Sequence, residues 1–316
     1  SDQLTPNDAL IQAREEVNDL RLQLARIQMD AHSELNSLMA KDFDHLSTAL
    51  QEALDKNVSA LLSDLELAAW VEFTDRIQRR RQLSHGHLRG ENLDLDMLVA
   101  TLHAQLSQTS TDELAPLLSQ WREAVDNAIE ERQDRLQIFL DAQQSQEKNA
   151  KTLEAARSLR TARQKVRDCT LLHLDAMADA VSLEEDAERL RKHGMARGFP
   201  TLARYDRLIT SMRSARQNAS EEEAEALSDL IRDHSQRMSH ARSEMVRTLL
   251  TCDGAETMLA VAMAQSEDGQ EFVMELAEIK DASAACAQEI ERTHTALKHL
   301  MGSAKAAELV HPLTMH

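Results

Sequence analysis

Apolar residues recur along this chain at steps of three and four over long distances, the spacing of helices that bury one stripe. Leu10, Ala13, Val17, Leu20, Leu24 and Ile27 form a heptad seam. Ala31, Leu35, Met39, Phe43, Leu46, Leu50, Leu54, Val58, Leu61, Leu65, Ala69, Phe73 and Ile77 continue it with more four-residue steps, which relax a left-handed supercoil. Thr5-Pro6-Asn7-Asp8 reads as the start: Thr5 as N-cap, Pro6 at the first helical position, and Asp8 facing the positive end of the helix dipole. No Gly or Pro follows until Gly86. The pattern predicts one helix of about 80 residues, roughly 115 Å long at about 1.5 Å per residue.

Ser84 to Gly90 reads as a loop, and Leu93 to Gln108 as a short helix on Leu95, Leu98, Leu102 and Leu106. Ser110-Thr111-Asp112-Glu113 matches a capping box and predicts a second long helix reaching His193, with Pro116 in or near its first turn. Its seam runs through Leu114, Leu118, Trp121, Val125, Ile129, Leu136 and Phe139, fades over Gln143 to Asn149, and resumes at Leu153, Leu159, Val166, Cys169, His173, Met177 and Val181. The polar gap reads as a solvent-exposed midpoint or a partner site. Ser182-Leu183-Glu184-Glu185 is another capping-box match and would mark a joint.

Beyond Gly194 and Gly198, Pro200 opens a helix through Arg216, and Ser220 to Glu223 caps one with a seam from Leu227 to Leu249. Asp253-Gly254-Ala255-Glu256 and Asp268-Gly269-Gln270-Glu271 are near-identical helix starts. The last seam, Leu276, Ile279, Ser283, Cys286, Ile290, Thr293, Leu297 and Leu300, stops at Gly302. The expected fold is all-α, an elongated antiparallel helical bundle or coiled coil built on two very long helices with shorter returning helices. It is read as a single elongated helical domain over 1–316, with sub-modules 1–193 and 194–316.

Composition narrows this further. Seven glycines and four prolines in 316 residues are too few for the turns of a barrel, sandwich or doubly wound fold. Only 3% of residues are aromatic, so burial comes from Leu, Ala, Met and Ile stripes, and an uncovered seam would support a homodimer. A net charge of -18 disfavours nucleic acid and anionic membranes as partners. No apolar run of about 18 residues exists, so no stable membrane insertion is expected. Cys169, Cys252 and Cys286 are odd in number and form no CxxC, which suits a reducing, cytoplasmic setting; the alternative is an extracytoplasmic domain of a membrane receptor.

The chain has no GxGxxG, P-loop or HExxH, a lone Glu291-x-x-His294, and a His85-Gly86-His87 suited only to adventitious metal. No Ser/His/Asp or Cys/His set assembles by spacing. No enzyme, cofactor or metal is therefore expected. His173 and His234 lie on apolar seams and would form a buried polar or pH-sensitive pair if their helices face each other. Arg76, Arg79, Arg80, Arg81 and Arg89 cluster where the first long helix ends, and Arg157, Arg160, Arg163 and Arg167 recur as a helical stripe. From 157 to 216 there are 13 basic and 8 acidic residues, leaving this stretch at +5 and the remainder at -23. These arginines either neutralise acidic faces inside the bundle or bind an acidic partner or anion.

The expected function is that of a non-enzymatic bacterial scaffold, adaptor or assembly factor acting through protein–protein contacts. In architecture, long helices with shorter returns resemble the double four-helix modules of some bacterial chemoreceptors and sensor kinases. The stretch Ala162 to Asp175, ARQKVRDCTLLHLD, is similar to helical segments of such domains. The resemblance implies a ligand-binding input domain, with arginines lining a site for an anion.

Overall fold

The structure, a computed structural model, describes residues 62–144 and 150–314, together with positions 53 and 57. The chain divides into two compact units, 1–76 and 77–316. Among the described residues there are ten helices and no strand, so the protein is all-α.

In the first unit the Thr5 start and the seam from Leu10 to Leu61 lie outside the described residues. Leu62 and Ser63 are not helical, and α1 (Asp64–Ser84) begins afresh after them. The cause is local: the Ser63 backbone N–H donates to Glu66 Oε2 at 2.9 Å and its hydroxyl donates to the same oxygen at 2.6 Å. Ser63-x-x-Glu66 is thus a helix start that the heptad seam obscured, and the helix expected to run unbroken to about residue 80 is interrupted there.

The second unit holds the end of α1, then α2 (Leu95–Leu102), α3 (Gln108–Gln144), α4 (Ala150–Ala180), α5 (Glu184–Gly198), α6 (Pro200–Gln217), α7 (Glu221–Cys252), α8 (Ala255–Ala264), α9 (Gln270–Met301) and α10 (Ser303–Thr314). The second long helix of the sequence reading is three antiparallel pieces. Glu113 meets Ser182, Trp121 meets Thr170, Glu131 meets Lys165, and Ala142 meets Thr152, so α3 and α4 run in opposite directions. The polar gap coincides with the reversal between them rather than with a helix midpoint; its residues 145–149 lie outside the described ones. The chain reverses again at 181–183, and α5 returns along α4 with Arg191 on Asp179. The joint at Ser182 is real, but the cap is Leu183, without a side-chain bond, and Ser182 instead donates to the Glu113 carboxylate of α3.

Periodicity could not show these reversals, because a stripe facing its neighbour continues at the same spacing after a turn as before it. The return is close because Gly194 of α5 sits against Leu174 of α4, where a Cβ would enter the Leu174 side chain. The α3 start also differs from the capping-box reading. Ser107, three residues earlier, accepts from Ser110 N at 3.1 Å, while Ser107 N and Ser110 Oγ donate to Asp186 Oδ2 of α5 at 3.0 and 2.8 Å. A carboxylate from another helix completes the cap. Those donors, the Ser107 N–H first, hold the Asp186 carboxyl below its ordinary range. With the earlier start, Pro116 lies inside α3, on an exposed position.

One core fills α2 to α5, around Leu98, Leu114, Trp121, Val125, Val166, Met177 and Leu190. Trp121 is fully buried, donates its indole N–H to Thr170 Oγ1 at 3.2 Å, and carries the Arg79 guanidinium over its ring. A second layer is the antiparallel pair α7 and α9 with α6, packed on Phe199, Met238, Leu249 and Cys286. It continues toward α10 through Leu208, Met212, Leu227, Leu297 and Ala306. Leu171 of α4 touches both cores, and α8 seals the α3–α4 end with Met258 and Val261 against Leu153 and Ala156. The sequence-level boundary at 193/194 falls inside α5.

Gly194→Val should overpack the α4–α5 contact, because Leu174 is buried and has nowhere to move. A loss of about 1–3 kcal/mol in urea unfolding is expected; an unchanged midpoint would contradict close packing at this return.

Candidate functional site

The densest polar chemistry lies where the loop 85–94 meets α3, α4 and the end of α7. Gly90, with φ 83°, turns this loop against the Arg167 stem and the Phe199 ring. The turn carries Glu91 inward to zero exposure. Its Oε2 accepts the backbone N–H groups of His87 and Leu88 at 2.8 and 2.9 Å, and its Oε1 takes Arg132 Nη1 of α3 at 2.8 Å. Arg132 Nη2 also donates to the Gln82 carbonyl at 2.8 Å, tying the end of α1 to α3. A buried ion of either sign is costly alone, and here each is compensated by charge and by hydrogen bonds.

The second half of the junction is a helix end. Leu249 O accepts the N–H of the C-cap residue Asp253 at 3.1 Å, the carbonyls after it lie beyond the reach of the helix's own ladder, and the dipole makes that end negative. Two arginines of α4 supply the donors. Arg167 Nη1 and Nη2 reach Leu249 O at 3.4 Å and Leu250 O at 2.7 Å. Arg160 Nη2 reaches Thr251 O at 3.1 Å and its Nε reaches Asp253 O at 2.9 Å. The Asp253 side chain then accepts Arg89 N at 2.5 Å and Arg89 Nη1 at 2.7 Å, stitching the loop to the same end. Gly254, with φ 85°, lets α8 start immediately beside Leu88 and Arg160.

The structure places the arginines singled out by sequence as follows. Arg79 is buried, with Nε and Nη2 on Asp126 and a longer contact from Nη1 to Asp96. Arg89, Arg160 and Arg167 belong to the junction. Arg157 is exposed, pairs with Glu271 and lies over the Phe272 ring. Arg163 is half-buried on α4 between its two engaged neighbours. Arg81 is half-buried, and Arg76 and Arg80 are exposed. Sequence reasoning missed Glu91, Arg132 and Asp253. Glu91 and Arg132 have no periodic signal, and Asp253 was legible only as a helix start.

The two seam histidines find different partners. His173 of α4 shares a hydrogen bond with the Cys169 carbonyl one turn earlier, at 2.8 Å. His234 of α7 is fully buried, its Nδ1 is 2.7 Å from Thr293 Oγ1 of α9, and its Nε2 is buried with no partner among the described residues. Burial, then the nearby Arg237, holds this imidazole below its usual range, while Glu289 opposes the shift. Of the weaker candidates, His294 Nδ1 stands 3.7 Å from Glu291. Among the described residues no group of three or more His, Cys, Asp or Glu side chains is arranged to hold a metal ion. Burial pushes all three thiols up, toward the protonated, unreactive form.

This arrangement recognises carbonyl oxygens and carboxylates through guanidinium forks. Compared with protein-family models, with curated proteins and with solved structures, the chain gives no significant match.

Glu91→Ala should leave Arg132 buried without its counter-ion and strip acceptors from two backbone N–H groups. The expected loss is about 3–5 kcal/mol in chemical denaturation; Glu91→Gln, which keeps one acceptor, should lose less. For His234 the sign follows from its depressed folded-state affinity for protons. The unfolded chain takes up a proton first as pH falls, so stability is complete above the unfolded value and declines below it. Melting temperatures from about pH 7.5 to about pH 5.5 should fall in the wild type, and less steeply in His234→Gln. Parallel slopes would remove His234 from the pH response.

Proposed function

We propose that this chain is a non-enzymatic interaction protein, a scaffold, adaptor or assembly factor of a bacterial cell that works through protein–protein contacts, with a second copy of itself as the first partner. One observation carries the reading: the charged side chains best suited to chemistry are used as struts between helices, in the Glu91–Arg132, Arg89–Asp253 and Arg79–Asp126 pairs and the two α7 caps. What the described surface then offers is helical faces carrying large apolar side chains. On α9, Val273 and Met274 are 46% and 55% exposed, and Met263 at the end of α8 is 50% exposed. Side chains of this kind, on rigid helices, are what an interface core uses. No described helix is long and apolar enough to cross a membrane, which removes bilayer insertion by these helices as an explanation of the exposed positions.

The test is light scattering with small-angle X-ray scattering over a concentration series, in low and moderate salt. The expected result is twice the chain mass, insensitive to salt. The double variant Val273→Glu, Met274→Glu should shift the equilibrium toward monomer by about tenfold or more, the effect of a buried interface anchor. A monomer at every concentration would overturn self-association. Equal dimerisation of the variant would move the interface off α9.

A further inference from the structure

Helix α1 meets the α2–α5 core through one side of its last turns. Arg79 and Leu83 are buried there, Arg79 on Asp126 and Leu83 among the core leucines. Another side of the same continuous helix carries Glu66, Trp70, Phe73, Ile77 and Arg80, at steps of four, three, four and three residues. That spacing lines the five side chains up as one stripe, the seam of a two-helix contact. Phe73 and Ile77 are 46% and 48% exposed, so close to half of each faces water. Trp70 is half-buried, with its ring centroid 5.7 Å from that of Phe73, and these rings with Ile77 form the apolar centre of the stripe. Glu66 and Arg80 close it at the two ends, and both are exposed. The Ser63 cap uses only Oε2 of Glu66.

We propose that this stripe is a self-pairing surface, on which the α1 helix of a second copy of the chain lies antiparallel. Charge selects both the occupant and its direction. Before Phe73, α1 carries three acidic residues and no basic one; after it, four arginines stand against the single Asp75. Each half of the helix is therefore complementary to the other half of a second copy. Glu66 and Arg80 stand seven residues on either side of Phe73, so an antiparallel partner crossing near Phe73 brings its Arg80 to Glu66 and its Glu66 to Arg80. A parallel partner would set carboxylate on carboxylate at one end and guanidinium on guanidinium at the other, which is unfavourable at both. Between the charged ends the two apolar centres meet and leave water together, the arrangement of an interface with an aromatic core and a polar rim. The inference rests on the self-association reading in requiring a second copy, and it assigns a contact to a different helix from the one that carries Val273 and Met274.

The experiment measures the dimer dissociation constant of the full chain by sedimentation equilibrium at low salt, in the Val273→Glu, Met274→Glu background so that α9 does not contribute. Phe73→Glu should weaken the dimer about thirtyfold or more, the effect of losing a central apolar anchor. Val71→Glu, about 160° round the helix from Phe73, should leave it unchanged. Glu66→Arg and Arg80→Glu should each weaken it about tenfold, because each sets like charges against one another at both ends of the pair. The combined Glu66→Arg, Arg80→Glu chain should return to within about threefold of the background protein, since opposite charges face again in the antiparallel pairing; damage to the fold would not be reversed in this way. A dimer indifferent to Phe73→Glu, or a combined variant no tighter than the single ones, would overturn the α1 pairing and leave self-association standing. So would a background protein that is monomeric while the wild type dimerises, which would assign the dimer to α9. A wild type that is monomeric at every concentration would overturn self-association as a whole.

Discussion

Two arginines on one helix ending another helix is the contact on which the second unit depends. The carbonyls that close α7 need donors, the dipole makes them attractive to cations, and Arg160 and Arg167 arrive from α4 two turns apart. Because α4 is also the inner partner of α3 and the support of α5, this contact joins the α2–α5 core to the α6–α9 layer. Leu171, on the same helix, touches both cores. The polar contact sets where the layers meet, and the apolar one holds them in register.

The loop at 85–94 extends the same logic. A connecting segment would normally lie on the surface, where water satisfies its backbone. Here it is drawn inward because Glu91 accepts its own loop's N–H groups and meets Arg132, while Arg89 closes on Asp253. Glycines at Gly90 and Gly254 permit the left-handed turns that bring the loop and α8 within reach of the arginines. From the basic stretch 157–216, Arg157, Arg160 and Lys165 pair with acidic residues outside it, Glu271, Glu275 and Glu131.

Some of this was legible in advance. Seams such as Leu227 to Leu249 and the capping box at Ser220 with Glu223 are local, and both are present as read, with Leu227, Ile231, His234, Met238, Ala241, Met245 and Leu249 buried. The Asp253-Gly254 and Asp268-Gly269 starts open α8 and α9. The expected continuity of the helix from Ser110 to His193 was wrong for a physical reason: an amphipathic stripe reports which side of a helix is buried, not which direction the chain runs afterwards. The interruption at Ser63 was readable as Ser63-x-x-Glu66, but an apolar seam on both sides concealed it.

The sequence alone determined the class of the fold, because sparse Gly and Pro and unbroken three-and-four spacing leave helices as the one way to bury these side chains. It also showed that the arginines at 76–89 and 157–167 were unusual in an acidic chain. Only the tertiary structure decided what most of them do. Whether a guanidinium meets a carboxylate far along the chain, as Arg89 meets Asp253, or caps a helix end, as Arg160 does, depends on how antiparallel helices are registered in space. That register is set by packing among residues distant in sequence, such as Trp121 on Thr170 and Gly194 on Leu174, which no local pattern encodes.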